Sequence, residues 1–361
     1  MWEEKQKTHR ERKVKKKMRV WQKVILSVFL VLLVVVLGAG GSFFYLRAQG
    51  EKKLKTKVAA QKKETSSERK EEEGTYITYN NKKYRYKEDV INFLCLGIDK
   101  DIPIDEKRDT GSEGLSDTIV VASLDTDTNE LKFISIPRDT IVPVKEMDTE
   151  GNFTKTENQQ ITLQYAYGQT AEDSCQLMAD AVSNLLYKVP IQRYCSINFE
   201  ALPVMNDAIG GVDVVALETV EWYAGAFYEG EQLHLEGQMA LDYVRQRDES
   251  VFASSMGRIE RQKQYIVSYI DKAKTVIKDN PTLPITVFQE LQGNMCTNIT
   301  VEDISYLVPE LLTVSISGDN MCMIPGDVAD AGEHEEYHVQ TEPLKELVVN
   351  TFYEEVKAEA E

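Results

Sequence analysis

Residues that usually carry hydrolytic or metal chemistry are scarce in this chain. It has five cysteines and four histidines in 361 residues, with no C-x-x-C pair and no cysteine–histidine cluster, which argues against a zinc site. G-x-S-x-G and G-x-x-x-x-G-K-[ST] are absent too, so a serine hydrolase and a P-loop nucleotidase are disfavoured. His334 and His338 are four residues apart, but their stretch is loop-like and does not favour a metal pair.

Positive charge is scarce beyond the N-terminal segment. Residues 1–46 hold ten of the 42 Lys/Arg and three of the 59 Asp/Glu, which leaves 32 basic and 56 acidic residues, a net charge of −24, after position 46. A domain with this acid excess repels nucleic acid and other polyanions. We therefore expect no nucleic-acid partner, and any bound anion must meet a local group of arginines.

Charge of either sign is missing from residues 24–46. At about 1.5 Å per residue, a helix of this length spans a hydrocarbon core of about 30 Å. The run is longer than the apolar part of a cleaved secretory signal, although Gly38, Ala39 and Gly40 keep that alternative open. The basic segment before it is expected to stay in the cytoplasm. We predict a single-pass protein of the cell membrane, with a cytoplasmic N-terminus and the rest outside the cell.

These patterns divide the chain into four predicted segments. The first two are a basic cytoplasmic tail (1–23) and a transmembrane helix (24–46). A charged extracellular stalk (47–75) follows, because lysine, glutamate and small polar residues dominate there. The remainder (76–361) is predicted to be a folded extracellular domain.

The five cysteines lie in the extracellular part, where disulfides are permitted. Cys296 and Cys322 occur in the similar phrases GNMC and DNMC, which suggests that these two form a disulfide. The odd number leaves at least one free thiol, and Cys95 lies in an apolar run typical of a core strand.

Strand-like and helix-like runs are mixed along the folded part. The apolar runs 91–98, 118–125 and 131–137 predict strands, with a hairpin between the last two. Helices are predicted over 171–187 and 257–278. This mixture predicts an α/β fold, a three-layer α-β-α sandwich with a mixed central sheet, preceded by one transmembrane helix.

Two acidic residues stand where predicted strands end or begin. Asp99 ends the run LCLGID, and Asp117 immediately precedes the strand TIVVASLD. Two carboxylates at adjacent strand ends can share Mg²⁺, which prefers oxygen ligands. The alternative is that each caps a turn.

Two groups of arginines complete the candidate site. Arg138 and Asp139 follow the strand LKFIS in the phrase IPRD, either as a site or as a surface ion pair. The second group lies in YVRQR and GRIERQ and comprises Arg245, Arg247, Arg258 and Arg261. Arg245 and Arg247 are two residues apart and face one way only if the helix has ended and the backbone is extended there. Arg258 and Arg261 lie near a helix N-terminus, where cations oppose the helix dipole, so this pair indicates a bound phosphate; the alternative is a solvated basic face.

Seven phrases in a fixed order carry a family resemblance: LGID, SDTIVV, ISIPRDT, AYG, NFEALPVMNDAIGGVDV, LEGQMALDYVRQR and GRIERQ. Together they resemble the LytR-CpsA-Psr family of cell-wall enzymes. The resemblance runs from about Tyr84 to the C-terminus and is densest over 91–275. The basic tail and single predicted span also match the usual architecture of that family.

This resemblance implies an enzyme, a glycopolymer phosphotransferase of cell-wall assembly, with 76–361 as its catalytic domain. Members of the family transfer a glycopolymer from an undecaprenyl-pyrophosphate carrier to peptidoglycan, commonly to the muramic acid 6-hydroxyl, with the help of Mg²⁺. The polyprenyl tail is expected in an apolar tunnel inside the sandwich. Teichoic acid, capsule polysaccharide and other wall polysaccharides remain open as the glycopolymer.

The resemblance also implies roles for the candidate residues. Asp99 and Asp117 are expected to hold Mg²⁺, and Asp139 to orient Arg138 or act as a base. The expected catalytic residues are Asp139, Arg138 and Arg258. The expected pyrophosphate ligands are Arg138, Arg245, Arg247 and Arg258, with Arg261 close by.

Two departures from the family pattern bear on activity. Ser255 stands where the family often has Asp in D-F-G-R, and Asp248 and Glu249 are candidates to replace that carboxylate. Thr162 and Gln164 stand where the family has Lys and Asn. Two other functions therefore stay open: a non-catalytic or regulatory protein that binds polyprenyl pyrophosphate, and a hydrolase of the same lipid.

Overall fold

The computed structural model describes residues 44–54, 75–100, 103–104, 110–111, 114–221, 226–246, 254–314, 316, 318–332 and 334–356. The chain divides into two units, Met1–Leu46 and Arg47–Glu361, and the candidate site belongs to the second. The predicted cytoplasmic tail and most of the predicted transmembrane helix lie outside the described residues. Within the described ranges, no helix is both long and apolar enough to cross a bilayer.

A six-stranded sheet forms the centre of the second unit. In spatial order its strands are β11 (Met295–Thr297), β8 (Arg193–Ile197), β3 (Val90–Ile98), β4 (Ser116–Asp125), β5 (Glu130–Ser135) and β12 (Met321–Met323). β3 pairs parallel with β8 and antiparallel with β4, and β12 pairs parallel with β5. The predicted α/β fold with a mixed central sheet, including the β4–β5 hairpin, is confirmed.

Helices cover both faces of this sheet. Alternate residues of a strand point to opposite sides, and apolar side chains on both sides pack against these helices. The four covering helices are α2 (Ala171–Leu185), α5 (Ser254–Asp279), α7 (Val301–Thr313) and α8 (Thr341–Phe352). Leu94 and Leu96 of β3 share one core with Met178 of α2 and Val348 of α8. Residues of the opposite face, such as Ile91, share another core with α7 and α5. The structure therefore has the three predicted layers.

A third core lies beside the sheet. It is built from α3 (Ala201–Ala208), α4 (Gly237–Arg245), part of α5, and the two-stranded sheet of β9 (Val212–Val215) and β10 (Gln232–Leu235); α6 (Leu283–Glu290) follows α5. Gly210 follows α3 with a φ of +78°, as expected for a glycine that ends a helix. The residues after Gly211 form β9, which pairs with β10 instead of joining the central sheet.

Polar strands were missed by the sequence analysis. They are β1 (Tyr76–Tyr79), β2 (Lys82–Tyr86) and β15 (Tyr353–Glu355) in one sheet, and the hairpins β6 (Ile141–Met147) with β7 (Phe153–Gln160) and β13 (Gly326–Asp330) with β14 (Glu335–Val339). A 3-10 helix, Ile161–Tyr167, follows β7. β7 reads FTKTENQQ and is mostly exposed, so it lacks the apolar alternation that reveals a strand. The stretch around His338, interpreted as a loop, is β14.

The start of the predicted stalk lies against the folded body. Residues 47–54 are helical (α1), and Leu54 is fully buried in the core that includes α7. Arg47 forms an ion pair of 2.7 Å with Glu310 of α7. One side of this helix packs on the folded body, whereas residues 51–53 are exposed, and the rest of the predicted stalk, 55–74, lies outside the described residues.

The predicted disulfide between Cys296 and Cys322 is wrong. Cys296 lies on β11 and Cys322 on β12, at opposite edges of the six-stranded sheet. Five strand spacings of about 4.8 Å place their Cα atoms roughly 24 Å apart, whereas a disulfide needs Cα atoms within about 7 Å. All five thiols are unlinked in this structure.

Candidate active site

The two candidate metal ligands lie at the same end of neighbouring strands. Asp99 follows β3 directly. The register of β3 against β4 shifts between Gly97 and Ile98, which leaves Asp117 as the extra residue of a β-bulge. A bulge redirects the side chain of its extra residue. The sheet therefore brings the two predicted carboxylates to one edge.

Arginines pair with both carboxylates. Arg138 contacts Asp117 through Nη1, and Arg258 Nη1 lies 3.6 Å from the other carboxylate oxygen of Asp117. Arg245 Nη2 lies 3.7 Å from Oδ1 of Asp99. The structure thus assembles residues from the end of β5, the end of α4 and the first turns of α5 into one charged cluster.

The IPRD segment belongs to this cluster and is not a surface ion pair. The side chains of Arg138 and Asp117 are only 18% and 19% exposed. Arg138 Nε lies 3.5 Å from Oδ1 of Asp139, and within the described residues this buried atom makes no hydrogen bond. A buried donor of this kind is costly unless a ligand satisfies it, and a phosphate oxygen is a suitable acceptor.

Asp139 is itself held in place. Its Oδ1 accepts a hydrogen bond of 3.1 Å from Nε2 of Gln160, and its carbonyl accepts one of 2.9 Å from the amide of Tyr337 on β14. The hairpins β6–β7 and β13–β14 therefore fix the segment that carries Arg138. Gln160 could not be recognised from the sequence because it ends a strand that has no apolar alternation.

Arg245 stands at the last position of α4. The next residue, Gln246, is extended, with φ −64° and ψ 139°, as the spacing of Arg245 and Arg247 required. The guanidinium of Arg245 stacks 3.7 Å from the ring centroid of Phe199, a favourable cation–π distance. Arg247 lies outside the described residues.

Arg261 differs from the other arginines. Its side chain is 1% exposed, and its Nε lies 2.7 Å from Oε1 of Glu218. Nη1 and Nη2 donate to the carbonyl oxygens of Tyr243 and Gln246 at the end of α4. Hence Arg261 ties α5 to α4, and among the described residues it does not line the cavities at Asp117. The described contacts of Arg261 are therefore structural, between two helices and to Glu218.

The departures from the family pattern have a structural setting where it is described. Thr162 is fully buried, and its amide donates to the carbonyl of Arg138 at 3.1 Å. The amide group of Gln164 pairs with the backbone of Lys145 on β6, at 2.8 and 3.0 Å. Thr162 thus holds the backbone of Arg138, and Gln164 holds that of β6, so both residues support the site from inside the domain. The side chain of Ser255, and residues 248 and 249, lie outside the described part of the chain.

Two neighbouring cavities lie beside the charged cluster. A cavity of about 60 Å³ lies beside it and includes Asp117, Arg245, Arg258 and Phe199 in its lining. At Thr118 and Gln262 it adjoins a second cavity of about 350 Å³. Gln262 Nε2 donates to Thr118 Oγ1 at 3.1 Å, which marks the boundary between the two spaces. Gln262 was not predicted from the sequence, although it lies one helical turn after Arg258.

The larger cavity lies between the central sheet and α5. Its walls are almost entirely hydrophobic and include Phe133, Leu202, Met205, Ile266, Ile270 and Leu291. Such a cavity is a ready site for an apolar chain. Fold and site together define an α/β protein with an arginine-rich cleft joined to an apolar cavity.

The chain belongs to the LytR-CpsA-Psr family. The model of the LytR_cpsA_psr family matches residues 50–352, which cover the strands β1–β14 and the helices from α2 onward. The family expected from the seven phrases is therefore confirmed.

The relatives include two teichoic acid transferases of Bacillus subtilis (strain 168). The polyisoprenyl-teichoic acid–peptidoglycan teichoic acid transferase TagU is 28% identical over 252 residues, which are 70% of this chain and 68% of TagU. TagV, of the same description, is 26% identical over 70% of this chain and 63% of its own length. The crystal structure of B. subtilis TagV matches 73% of this chain and 96% of that chain with a TM-score of 0.58 and 24% identity, so the fold is shared.

Proposed function

We propose that this protein transfers a glycopolymer from an undecaprenyl-pyrophosphate carrier to peptidoglycan. The observation that carries the proposal is the junction at Thr118 and Gln262, where the arginine cluster meets the apolar cavity. A polyprenyl-pyrophosphate lipid has the complementary shape, an anionic head on an apolar chain. The names of TagU and TagV support the same donor and acceptor classes, and teichoic acid is accordingly our first choice of glycopolymer.

The head group is proposed to bind among Arg138, Arg245 and Arg258, with Arg247 as a further ligand. Phosphoryl transfer needs positioning and charge neutralisation more than covalent help. Arg138 and Arg258 both contact the carboxylate of Asp117. Each arginine could therefore bind a phosphate oxygen with little movement of its side chain. We assign these two arginines to stabilise the charge that develops on the leaving pyrophosphate.

Mg²⁺ is proposed as the cofactor, held by Asp99 and Asp117. The donor set fits, because Mg²⁺ in proteins commonly takes one or two carboxylates and completes its shell with water and substrate phosphate. No group of three or more His, Cys, Asp or Glu suited to a metal occurs in the described ranges, and we assign the remaining ligand positions of the ion to water and the substrate phosphates. When bound, it would draw charge from the phosphate oxygens.

Asp139 is proposed to orient Arg138 and to serve as the base for the acceptor hydroxyl. The first role has direct support in the 3.5 Å contact with Nε of Arg138. The hydrogen bond from Gln160 keeps the carboxylate in that position. Asp139 is nearly buried, so little bulk water competes with the acceptor for it.

The location is part of the proposal. Residues 24–46 would anchor the protein in the cell membrane, with the N-terminus in the cytoplasm and the domain 76–361 outside. That placement puts the apolar cavity on the side where lipid-linked glycopolymers meet peptidoglycan.

Turnover by the full-length chain in detergent tests the proposal. The substrate is a synthetic polyprenyl-pyrophosphoryl saccharide with a labelled glycan, offered with Mg²⁺ and peptidoglycan oligomers. Labelled peptidoglycan is the expected product. Release of the glycan phosphate to water alone would instead identify a hydrolase. Lipid binding without turnover would favour the binding-protein alternative, for which Thr162 and Ser255 are the supporting departures.

Asp117→Asn tests the metal site. We expect the variant to fold, to lose most turnover, and to bind Mn²⁺ at least tenfold more weakly in a calorimetric titration. Asp125→Asn, on the same strand and at its other end, is the matched control and should retain Mn²⁺ binding and turnover. Unchanged Mn²⁺ binding by the Asp117 variant would remove this residue from the metal site.

A further inference from the structure

Two buried thiols meet away from the candidate active site, between α2 and the edge strand β11. Cys175 on α2 is fully buried and Cys296 on β11 is 8% exposed. Cys175 Sγ lies 3.2 Å from Oγ of Ser196 on β8, and Ser196 is the direct register partner of Cys296. Such partners have Cβ atoms about 5 Å apart on one face of the sheet. Both thiols therefore lie close to the side chain of Ser196 and to each other.

The contact changes the reactivity of one thiol. The hydrogen bond with Cys296 lowers the pKa of Cys175 despite its burial. Burial instead raises the pKa of Cys95 to about 11, and it also raises the pKa of Cys195. Because the thiolate is the form that attacks a disulfide, Cys175 is the best placed of these three to start an exchange. Cys95 and Cys195, direct partners on β3 and β8, form the competing pair.

We propose that Cys175 and Cys296 form a reversible disulfide that fastens β11 to α2. In the reaction the thiolate of Cys175 attacks a disulfide of an extracellular thiol oxidant, and Cys296 then displaces the resulting mixed disulfide. One S–S bond forms in the protein, the two thiols lose two protons and two electrons, and the oxidant is released as two thiols. The oxidising surroundings rest on the proposed extracellular location; the transfer reaction is not required.

The position of this link suggests what it does. Met295, next to Cys296 on β11, lines the apolar cavity. β11 is an edge strand of three residues, paired on one side with β8, so its attachment to the sheet is short. A covalent tie to α2 would hold this wall of the cavity in place and make its opening depend on the redox state outside the cell.

Redox refolding and peptide mapping test the proposal. The full-length chain is unfolded in urea and refolded in detergent with oxidised and reduced glutathione, so that burial does not limit access. Remaining thiols are then alkylated with N-ethylmaleimide in urea. We expect three alkylated cysteines and one linked peptide pair that contains Cys175 and Cys296. Thermal unfolding should occur about 5 °C or more above that of the chain reduced with dithiothreitol, because the link closes a long loop.

Two variants sharpen the result. Cys322→Ser, at the opposite edge of the sheet, should keep the link, and Cys175→Ser should lose both the link and the redox-dependent shift. Five alkylated cysteines after redox refolding, or a link between Cys95 and Cys195 alone, would overturn the proposal. Peptide mapping of the unaltered chain shows whether Cys175 and Cys296 are linked, even if a variant does not fold. None of these readouts involves turnover, so failure here leaves the proposed transferase function standing.

Discussion

Replacing Arg261 by methionine separates a structural arginine from a ligand arginine. Methionine preserves much of the buried volume but removes the guanidinium, which contacts Glu218 and the carbonyl oxygens of Tyr243 and Gln246. Glu218 is 41% exposed and can turn to water. The two carbonyls at the end of α4 lose the donors that they share with α5.

The magnitude follows from those contacts. Leaving a buried acceptor unsatisfied costs about 1–3 kcal/mol, so two carbonyls imply a loss of about 2–4 kcal/mol after partial relaxation. For a domain of this size we expect the thermal midpoint to fall by about 5–10 °C. Affinity for undecaprenyl pyrophosphate, measured by calorimetry below the midpoint, should change by less than about threefold, since no contact with the proposed head-group site is lost.

Arg258→Met is the matched control, one helical turn earlier on α5. It removes a charge-assisted contact worth about 1.5–3 kcal/mol to the bound phosphate, so affinity should fall by about 10- to 100-fold. Asp117 keeps Arg138 as a partner, and the midpoint should fall less than in the Arg261 variant. A loss of affinity without loss of stability in Arg261→Met would refute the structural role of Arg261 and restore it to the head-group ligands.

Two further predictions concern stability and titration outside the site. The buried Arg193 donates hydrogen bonds of 2.7 and 3.0 Å to Asp303, and Asp303→Asn removes its counter-charge. The free energy of unfolding, measured in urea, should fall by about 3–5 kcal/mol. A decrease below about 1 kcal/mol would contradict this reasoning. The hydrogen bond with Asp213 raises the pKa of His234 above 6.5, so its contribution to stability is present below that pH and disappears as pH rises through the folded-state pKa. An NMR titration should therefore show a lower midpoint for His234 in Asp213→Asn, and equal midpoints would exclude that cause.

The sequence by itself determined the family, the mixed α/β architecture, three of the six central strands and the helices that correspond to α2 and α5. Such elements can be recognised from the local sequence, because a continuous apolar run such as 91–98, or a periodic one such as 171–187, reflects the burial of that segment alone. The candidate carboxylates Asp99 and Asp117 were found for the same reason, because each lies at the boundary of such a run. Their chemical roles remain proposals.

Only the tertiary structure decided which polar residues meet. Cys296 and Cys322 occur in nearly identical phrases, yet strand order separates them by the width of the sheet. Arg258 and Arg261 lie in one motif, yet the first contacts Asp117 and the second donates hydrogen bonds to the end of α4. Sequence spacing reports position along a strand or helix, whereas partners across the fold depend on strand order and helix packing. Those are set by the sum of many weak contacts and leave no local mark on the chain.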